Sequence, residues 1–293
     1  MEHIDRRNFN KLVGCTLASA AMLPFLGACS ELDRKTSVII ITADDLNWDS
    51  VGAFGSSVAD STPNIDKLAS EGMSFQRAHV ASAICIPSRS SMFTGLYPHN
   101  NGAQGFEPIN EGVTTLTEML YYRLYFNGII GKVNHLQPTR RFFWHETVGE
   151  FELGHGRDPE KYYAATLRLL NQAAALDKPA FLNVNIEDPH RPFASSKDEI
   201  ERYGELDYPP PSRQFTEDEV SIPGFLPDLS PIRKEVAQYF SSVRRADDIL
   251  GAILAALDTS DVPARDTLVI FLSDNGMAFP FAKTNCYLSS TKT

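Results

Sequence analysis

The sequence predicts an α/β fold with a mostly parallel central sheet flanked by helices, and three observations carry that expectation. The run at 37–42 is continuously β-branched, without the polar alternation of a half-solvated strand, and 127–132, around Ile129-Ile130, and 266–273, around Leu268–Leu272, read likewise as buried strands. Patterns of helical period lie between the strands, most clearly at 158–176 and 231–257. Strand runs also end in charged or amide residues, namely Asp44-Asp45, Lys132 and Asp274-Asn275, and open α/β sheets bind ligands at the carboxyl ends of their strands. With 293 residues and 43% hydrophobic composition the chain is long enough for one large domain or two smaller ones.

The amino terminus reads as an export signal over residues 1–28. Arg6 and Arg7, with Phe9 and Lys11, form an R-R-x-F-x-K pattern that resembles a twin-arginine address, and the apolar run 12–26 is too short and too rich in small residues for a membrane span. It closes on Leu26-Gly27-Ala28-Cys29, which resembles a bacterial lipobox and makes Cys29 a candidate lipid anchor; simple cleavage near Ala28 is the alternative. The expected location is the periplasm or the outer membrane, the latter as a lipoprotein. Residues 29–36 are then a linker. Loss of residues 1–28 removes three cations (Arg6, Arg7, Lys11) and two acids (Glu2, Asp5), taking the formal charge from −10 to −11.

An acidic chain has no general attraction for nucleic acid or an anionic membrane, so an anionic substrate needs a local cationic pocket. The cysteines at 15, 29, 85 and 286 lie far apart with no C-x-x-C pair, which indicates neither a zinc site nor a disulfide framework, and Cys286 by itself reads as a small buried hydrophobe.

Taken in order, strand 37–42 ends in Asp44 and Asp45, adjacent carboxylates that are costly at a buried strand end unless a cation or positive partners neutralise them. Residues 62–72 form a helix with Pro63 near its start, Gly72 at its end, and Ile65, Leu68 and Ala69 on one face. Residues 73–80 return as a strand, with His79 structural, and lead to Cys85-Ile86-Pro87-Ser88-Arg89, a Ser-rich helix start that Thr94-Gly95 closes. The turn-rich 97–102 is expected near the mouth of a site. Residues 115–125 form a short amphipathic helix using Leu116, Met119, Leu120 and Leu124, and strand 127–132 ends in Lys132, a lysine that either snorkels to solvent or enters the same pocket as Asp44. The Arg140–His145 stretch suits either a carboxylated sugar or plain loop packing.

Asp158 caps the helix 158–176, with Ala164, Leu167, Leu170 and Ala174 as its apolar face. Strand 179–186 leads into Glu187-Asp188-Pro189-His190-Arg191-Pro192, where two prolines stiffen the loop around His190. Residues 193–222 read as a charged, proline-rich surface excursion, and Arg244–Asp248 on the long helix 231–257 as a solvated charged face. Strand 266–273 ends in Asp274-Asn275, which with Asp44 and Asp45 supplies an all-oxygen donor set suited to Ca2+ or Mg2+ rather than zinc.

The C-x-P-S-R element at Cys85 resembles the signature of the formylglycine-dependent sulfatases, and the ordered elements from 37 to 287 extend the resemblance. Within the family it is closest to the N-sulfoglucosamine sulfohydrolase branch, on Asn101-Gly102 with Gly105, Gly128–Lys132, Asp188–Arg191, Asp274–Gly276, Phe279-Pro280 and Lys283–Asn285. The resemblance implies an alkaline-phosphatase-like sandwich, and a maturation enzyme that oxidises Cys85 to a formylglycine whose hydrate supplies the nucleophile. It further implies a divalent cation, Ca2+ or Mg2+, on Asp44, Asp45, residue 85, Asp274 and Asn275. Catalytic roles fall to Cys85, Arg89, His135 and His190, and sulfate binding to Lys132 and Lys283. Many relatives have one residue between the lysine and histidine of the Lys132 element; this chain has two, so Asn134 rivals His135. The implied substrate is a sulfated saccharide, as a sulfamate or sulfate ester. The alternatives are a phosphohydrolase of the same superfold and an inactive sugar-binding relative. The catalytic domain spans 37–293, and the family's smaller carboxyl-terminal subdomain is expected to be missing, with the sugar half of the site incomplete.

Overall fold

In a computed structural model of the protein, residues 36–204 and 207–293 are described; the readings of residues 1–28 as a signal and of Cys29 as an anchor lie outside them. The sheet contains β1 (Ser37–Ala43), β2 (Phe126–Ile130), β3 (Glu146–Val148), β4 (Ala180–Ile186) and β5 (Thr267–Ser273), in the order β3-β2-β4-β1-β5 with every pair parallel. Side chains of a strand alternate between faces, and β1 shows the consequence: Ile39, Ile41 and Ala43 enter one core cluster while Ile40 enters another.

The first face is covered by α1 (Pro63–Glu71), α4 (Pro159–Ala175) and α6 (Ser230–Thr259), the second by α2 (Cys85–Thr94) and α3 (Leu116–Tyr122); α5 (Lys197–Tyr203) lies in the connection from β4 to α6. Helical starts follow the local chemistry. The Asp158 side chain accepts from the N–H groups of Glu160 and Lys161 ahead of Pro159, and Gly95 closes α2 in the left-handed region.

Several expectations are corrected. Residues 73–80 form no strand: Met73 and Phe75 are exposed, and the segment makes one isolated bridge, His79 with Lys292. β5 is an edge strand, with Leu268 and Ile270 exposed, rather than a strand covered on both faces. The buried face of α4 is shifted from the expected one: Leu170 is buried and Ala174 packs on the core as expected, but Tyr162, Ala165, Leu169 and Ala173 are also buried while Ala164 is exposed, and the Tyr162 hydroxyl donates to the Asn185 carbonyl at 2.6 Å.

The 193–222 excursion contributes Phe193, Tyr208, Phe215 and Val220 to the interior, Phe193 stacking on Phe279. The charged face of α6 is divided. Arg244 bonds Asp248 and Asp60 on the outer side, whereas Arg245 and Asp247 are buried, since adjacent residues on a helix point about 100° apart.

Candidate active site

Parallel pairing delivers the residues that follow β1, β2, β4 and β5 to one end of the sheet. Because β1 and β5 are neighbours, the Asp45 N–H donates to Asp274 Oδ1 at 3.1 Å and the Asn275 side-chain amide donates to Asp45 Oδ1 at 2.6 Å. α2 starts at this end with Cys85, whose Sγ is 3.3 Å from Asp44 Oδ1. Ligand atoms of Asp44, Asp45, Cys85 and Asp274 all lie within 4.8 Å of one another.

Arg89 is one helical turn beyond Cys85 and so lies on the same side of α2. Its Nε donates to Asp274 Oδ2 at 3.0 Å, its Nη2 is 3.4 Å from Asp44 Oδ2, and its Nη1 bonds Asn185 Oδ1. Beyond β2 the backbone turns left-handed at Gly131 (φ 70°) and again at Lys132 (φ 50°). Glycine is required at the first position, where a Cβ would come within 2.4 Å of the Asn185 carbonyl oxygen. The turn aims Lys132 into the pocket rather than at solvent: Nζ is 2.9 Å from Asp44 Oδ2 and 2.8 Å from Glu187 Oε2. Lys283 Nζ is 2.6 Å from Asp45 Oδ1 and 3.5 Å from Cys85 Sγ.

His190 places Nε2 4.0 Å from Asp45 Oδ2, while Nδ1 is 2.6 Å from the Arg191 carbonyl. A carbonyl only accepts, so Nδ1 carries a proton and Nε2 is the nitrogen left to exchange one. His135 is half-buried within electrostatic reach of Lys132 and Arg89, and its buried Nδ1 has no hydrogen-bond partner among the described residues; Asn134, its rival, is exposed. The sequence-predicted site residues therefore come together. The 97–102 turn follows the far end of α2, about 13 Å from Cys85 at the rise of a helix, and within the Arg140–His145 stretch Phe142 is buried against Phe93 while Arg140 is exposed and pairs with Glu111. Cys286 is exposed.

The electrostatics follow from burying these charges together. Burial alone would raise Asp44, but Lys132, His190, Arg89 and Lys283 hold it well below the usual carboxylate range. Asp45 is pushed up to about 6 by burial and then by Asp44, and Asp274 rises for the same two reasons. Burial, then Asp44, Asp274 and Asp45, push the Cys85 thiol up. His135 is pushed down to about 3 by burial and then by Lys132 and Arg89, which keeps it neutral at physiological pH. A divalent cation fits this donor set: the ligands are hard oxygens, the carboxylates repel one another, and Asn275 Oδ1 is buried with no partner among the described residues.

Two polar residues of this site escaped sequence reasoning. Glu187 pairs with Lys132, and Asn185 joins Arg89 to the carbonyls of Ile130 and Gly131, its Nδ2 donating at 3.2 and 3.0 Å. The available signal was the presence of asparagines at 183 and 185 in an otherwise apolar strand.

A parallel α/β sheet with a cysteine, carboxylates and cations converging beyond its strands defines the class, and the sulfatase family model matches residues 36–292: the chain belongs to the sulfatase family. It is 32% identical to human N-sulphoglucosamine sulphohydrolase across 94% of this chain, and spans 57% of that relative's length. Solved structures with the same fold include the phosphonate monoester hydrolase of Agrobacterium radiobacter, with a TM-score of 0.62 and 18% identity over 88% of this chain and 66% of that one. Another is a protein solved with its substrate D-glucosamine-2-N,6-O-disulfate, with a TM-score of 0.59 and 16% identity over 83% of this chain and 66% of that one. The fold is thus the alkaline-phosphatase-like one that the sequence resemblance implied.

Proposed function

We propose that residues 37–293 carry the sulfate-cleaving site of an exported hydrolase whose substrate is a sulfated sugar, a sulfamate or sulfate ester of glycosaminoglycan-derived glucosamine. The observation that carries this reading is the meeting of Cys85 with Asp44, Asp45 and Asp274 and with the cations Arg89, Lys132 and Lys283 at one end of the sheet. Similarity to the human sulphohydrolase supports the sugar. A formylglycine-generating enzyme, with an electron acceptor of its own, would exchange the C–S bond of Cys85 for C=O. The residues that would hold the cation, Ca2+ in preference to Mg2+, are Asp44, Asp45, Asp274 and Asn275 together with residue 85. Once installed, the hydrated aldehyde supplies the attacking hydroxyl and the cation lowers the cost of the negative charge that develops.

The charge count explains how so acidic a protein receives an anion. Four carboxylates (Asp44, Asp45, Asp274, Glu187) against three cations (Arg89, Lys132, Lys283) leave −1, imidazoles aside, and a divalent cation makes it +1. Lys132 and Lys283 hold the sulfate oxygens, Arg89 steadies charge beside residue 85, and neutral His135 serves as a hydrogen-bonding group. His190 would give a proton from Nε2 to the sugar oxygen or nitrogen as the S–O or S–N bond breaks; the hydroxyl oxygen of hydrated residue 85 would take that bond's place on sulfur and leave with the sulfate, and water would restore the hydrate.

Mass spectrometry of the Cys85 peptide from the native host should show the aldehyde or its hydrate; a persistent thiol removes the nucleophile. Protein carrying the aldehyde should release sulfate from N-sulfo- or 6-O-sulfo-glucosamine, and binding without release from either would make it an inactive relative. The shared fold of the phosphonate monoester hydrolase favours a second reading, phosphohydrolysis in the same pocket, which faster turnover of aryl phosphate than of aryl sulfate would establish. Export rests on residues 1–28 and anchoring on Cys29; Cys29→Ala should release the protein from the membrane fraction.

A further inference from the structure

We propose that Arg157 is a positioning residue that holds the His190 loop against the sulfate pocket, with Arg245 acting on the same loop through Asp188. The proposal rests on the sulfatase reading for the part His190 takes in the chemistry. Arg157 and Asp188 are 0% exposed, and Arg245 and Glu199 1%. Two guanidiniums and two carboxylates cancel in charge, which is the condition for burying them at all.

Beyond neutrality, Arg157 is spent on backbone: Nη2 donates to the carbonyls of His190 at 3.1 Å and Pro192 at 3.2 Å, and Nη1 to that of His155 at 3.1 Å. Its Nε stands 3.5 Å from Asp188 Oδ1 and 3.7 Å from Glu199 Oε1. From α6, Arg245 grips the loop at its start, with Nε 2.5 Å from Asp188 Oδ2 and Nη2 2.8 Å from Glu199 Oε1. Residues 188–192 are thus stapled at three points from behind, while the His190 ring faces Asp45 on the pocket side. Only a planar fork with several donors can serve these carbonyls together; a lysine keeps the charge and loses the fork. A proton donor displaced by about 1 Å can lose on the order of a hundredfold in rate, so the staple bears on the proton that His190 delivers.

The test compares two leaving groups. A sugar oxygen or nitrogen needs the proton, whereas a nitrophenolate departs without it. In Arg157→Lys, kcat on the sulfated glucosamine should fall about tenfold or more and kcat on nitrophenyl sulfate by less than about threefold, the same bias that His190→Ala should show more strongly. Amide exchange, read by mass spectrometry on the full chain, should quicken over 187–193 and stay unchanged over the middle of α6. Equal losses on both substrates, or unchanged exchange over 187–193, would overturn the proposal. If Arg157→Lys does not accumulate folded, Arg245→Lys is read in the same two ways. Wild-type protein that cleaves neither substrate would instead defeat the sulfatase reading, and the exchange measurement would still decide the staple.

Discussion

Lys132 illustrates how neighbours settle the role of a single residue. A lysine at a strand end can snorkel to water, but this one is 7% exposed and stands between Asp44 and Glu187. Burial pulls its pKa down, and the two carboxylates more than reverse that, so it stays charged and able to meet an anion. Replacing a donor aimed at developing charge typically costs about 10²–10³ in turnover. Lys132→Ala should therefore lower sulfate release by that factor with an unchanged far-ultraviolet circular dichroism spectrum; near-normal turnover would exclude it from the sulfate site.

Elements place these residues, and two contacts show by what means. The turn after β2 depends on Gly131, where a side chain meets both a left-handed φ and the Asn185 carbonyl at 2.4 Å. The left-handed backbone alone costs roughly 1–2 kcal/mol for a residue with a Cβ. Gly131→Ala should lower the melting temperature and reduce turnover as Lys132 shifts; an unaltered melt and unaltered kinetics would show that the turn relaxes freely. The second contact caps α1 from α6: Asp247 accepts from the N–H of Asn64 at 3.0 Å and of Ile65 at 2.8 Å. Burial raises Asp247 to about 6 despite these bonds. A carboxyl whose folded pKa exceeds its unfolded value of 3.8 contributes stability that is complete below 3.8 and lost as pH rises through about 6. Asp247→Asn does not titrate there, so the advantage of wild type over Asp247→Asn in chemical denaturation should shrink by on the order of 1–3 kcal/mol between pH 4 and pH 7.5. A difference independent of pH would place the Asp247 pKa near that of the unfolded chain.

At the scale of the whole molecule, the end of the sheet buries four carboxylates (Asp44, Asp45, Asp274 and Glu187) against three cations (Arg89, Lys132 and Lys283), so the folded state carries an electrostatic cost that a bound cation would relieve. Ligand that binds only the folded state stabilises it by RT ln(1 + [L]/Kd), about 2.7 kcal/mol at a hundredfold excess over Kd. Calcium should accordingly raise the melting temperature of wild-type protein and a chelator should lower it, with magnesium giving the smaller shift. Asp45→Ala should abolish both the shift and the metal content measured by elemental analysis, together with activity. Unchanged metal stoichiometry in Asp45→Ala would remove Asp45 from the ligand set.

The chain by itself determined the parallel α/β class, the strands that end in the acidic pairs, and the cysteine element, because each is a local pattern: apolar runs of strand length, a cap, a short spacing. It also named the residues that converge, since parallel strands necessarily send Asp44, Lys132, His190 and Asp274 to one end of a sheet. Only the tertiary structure decided which charges go inside. Arg245 and Asp247 lie on a helix as charged as any solvated one, and their burial depends on Asp188 and Asn64, 57 and 183 residues away in the chain. The same holds for Glu187 and Asn185, polar side chains of ordinary local context until Lys132 and Arg89 reach them. Residues 73–80 carry a strand-like pattern but make, among the described residues, the single bridge His79–Lys292, and pairing, unlike periodicity, is a property of two segments rather than one.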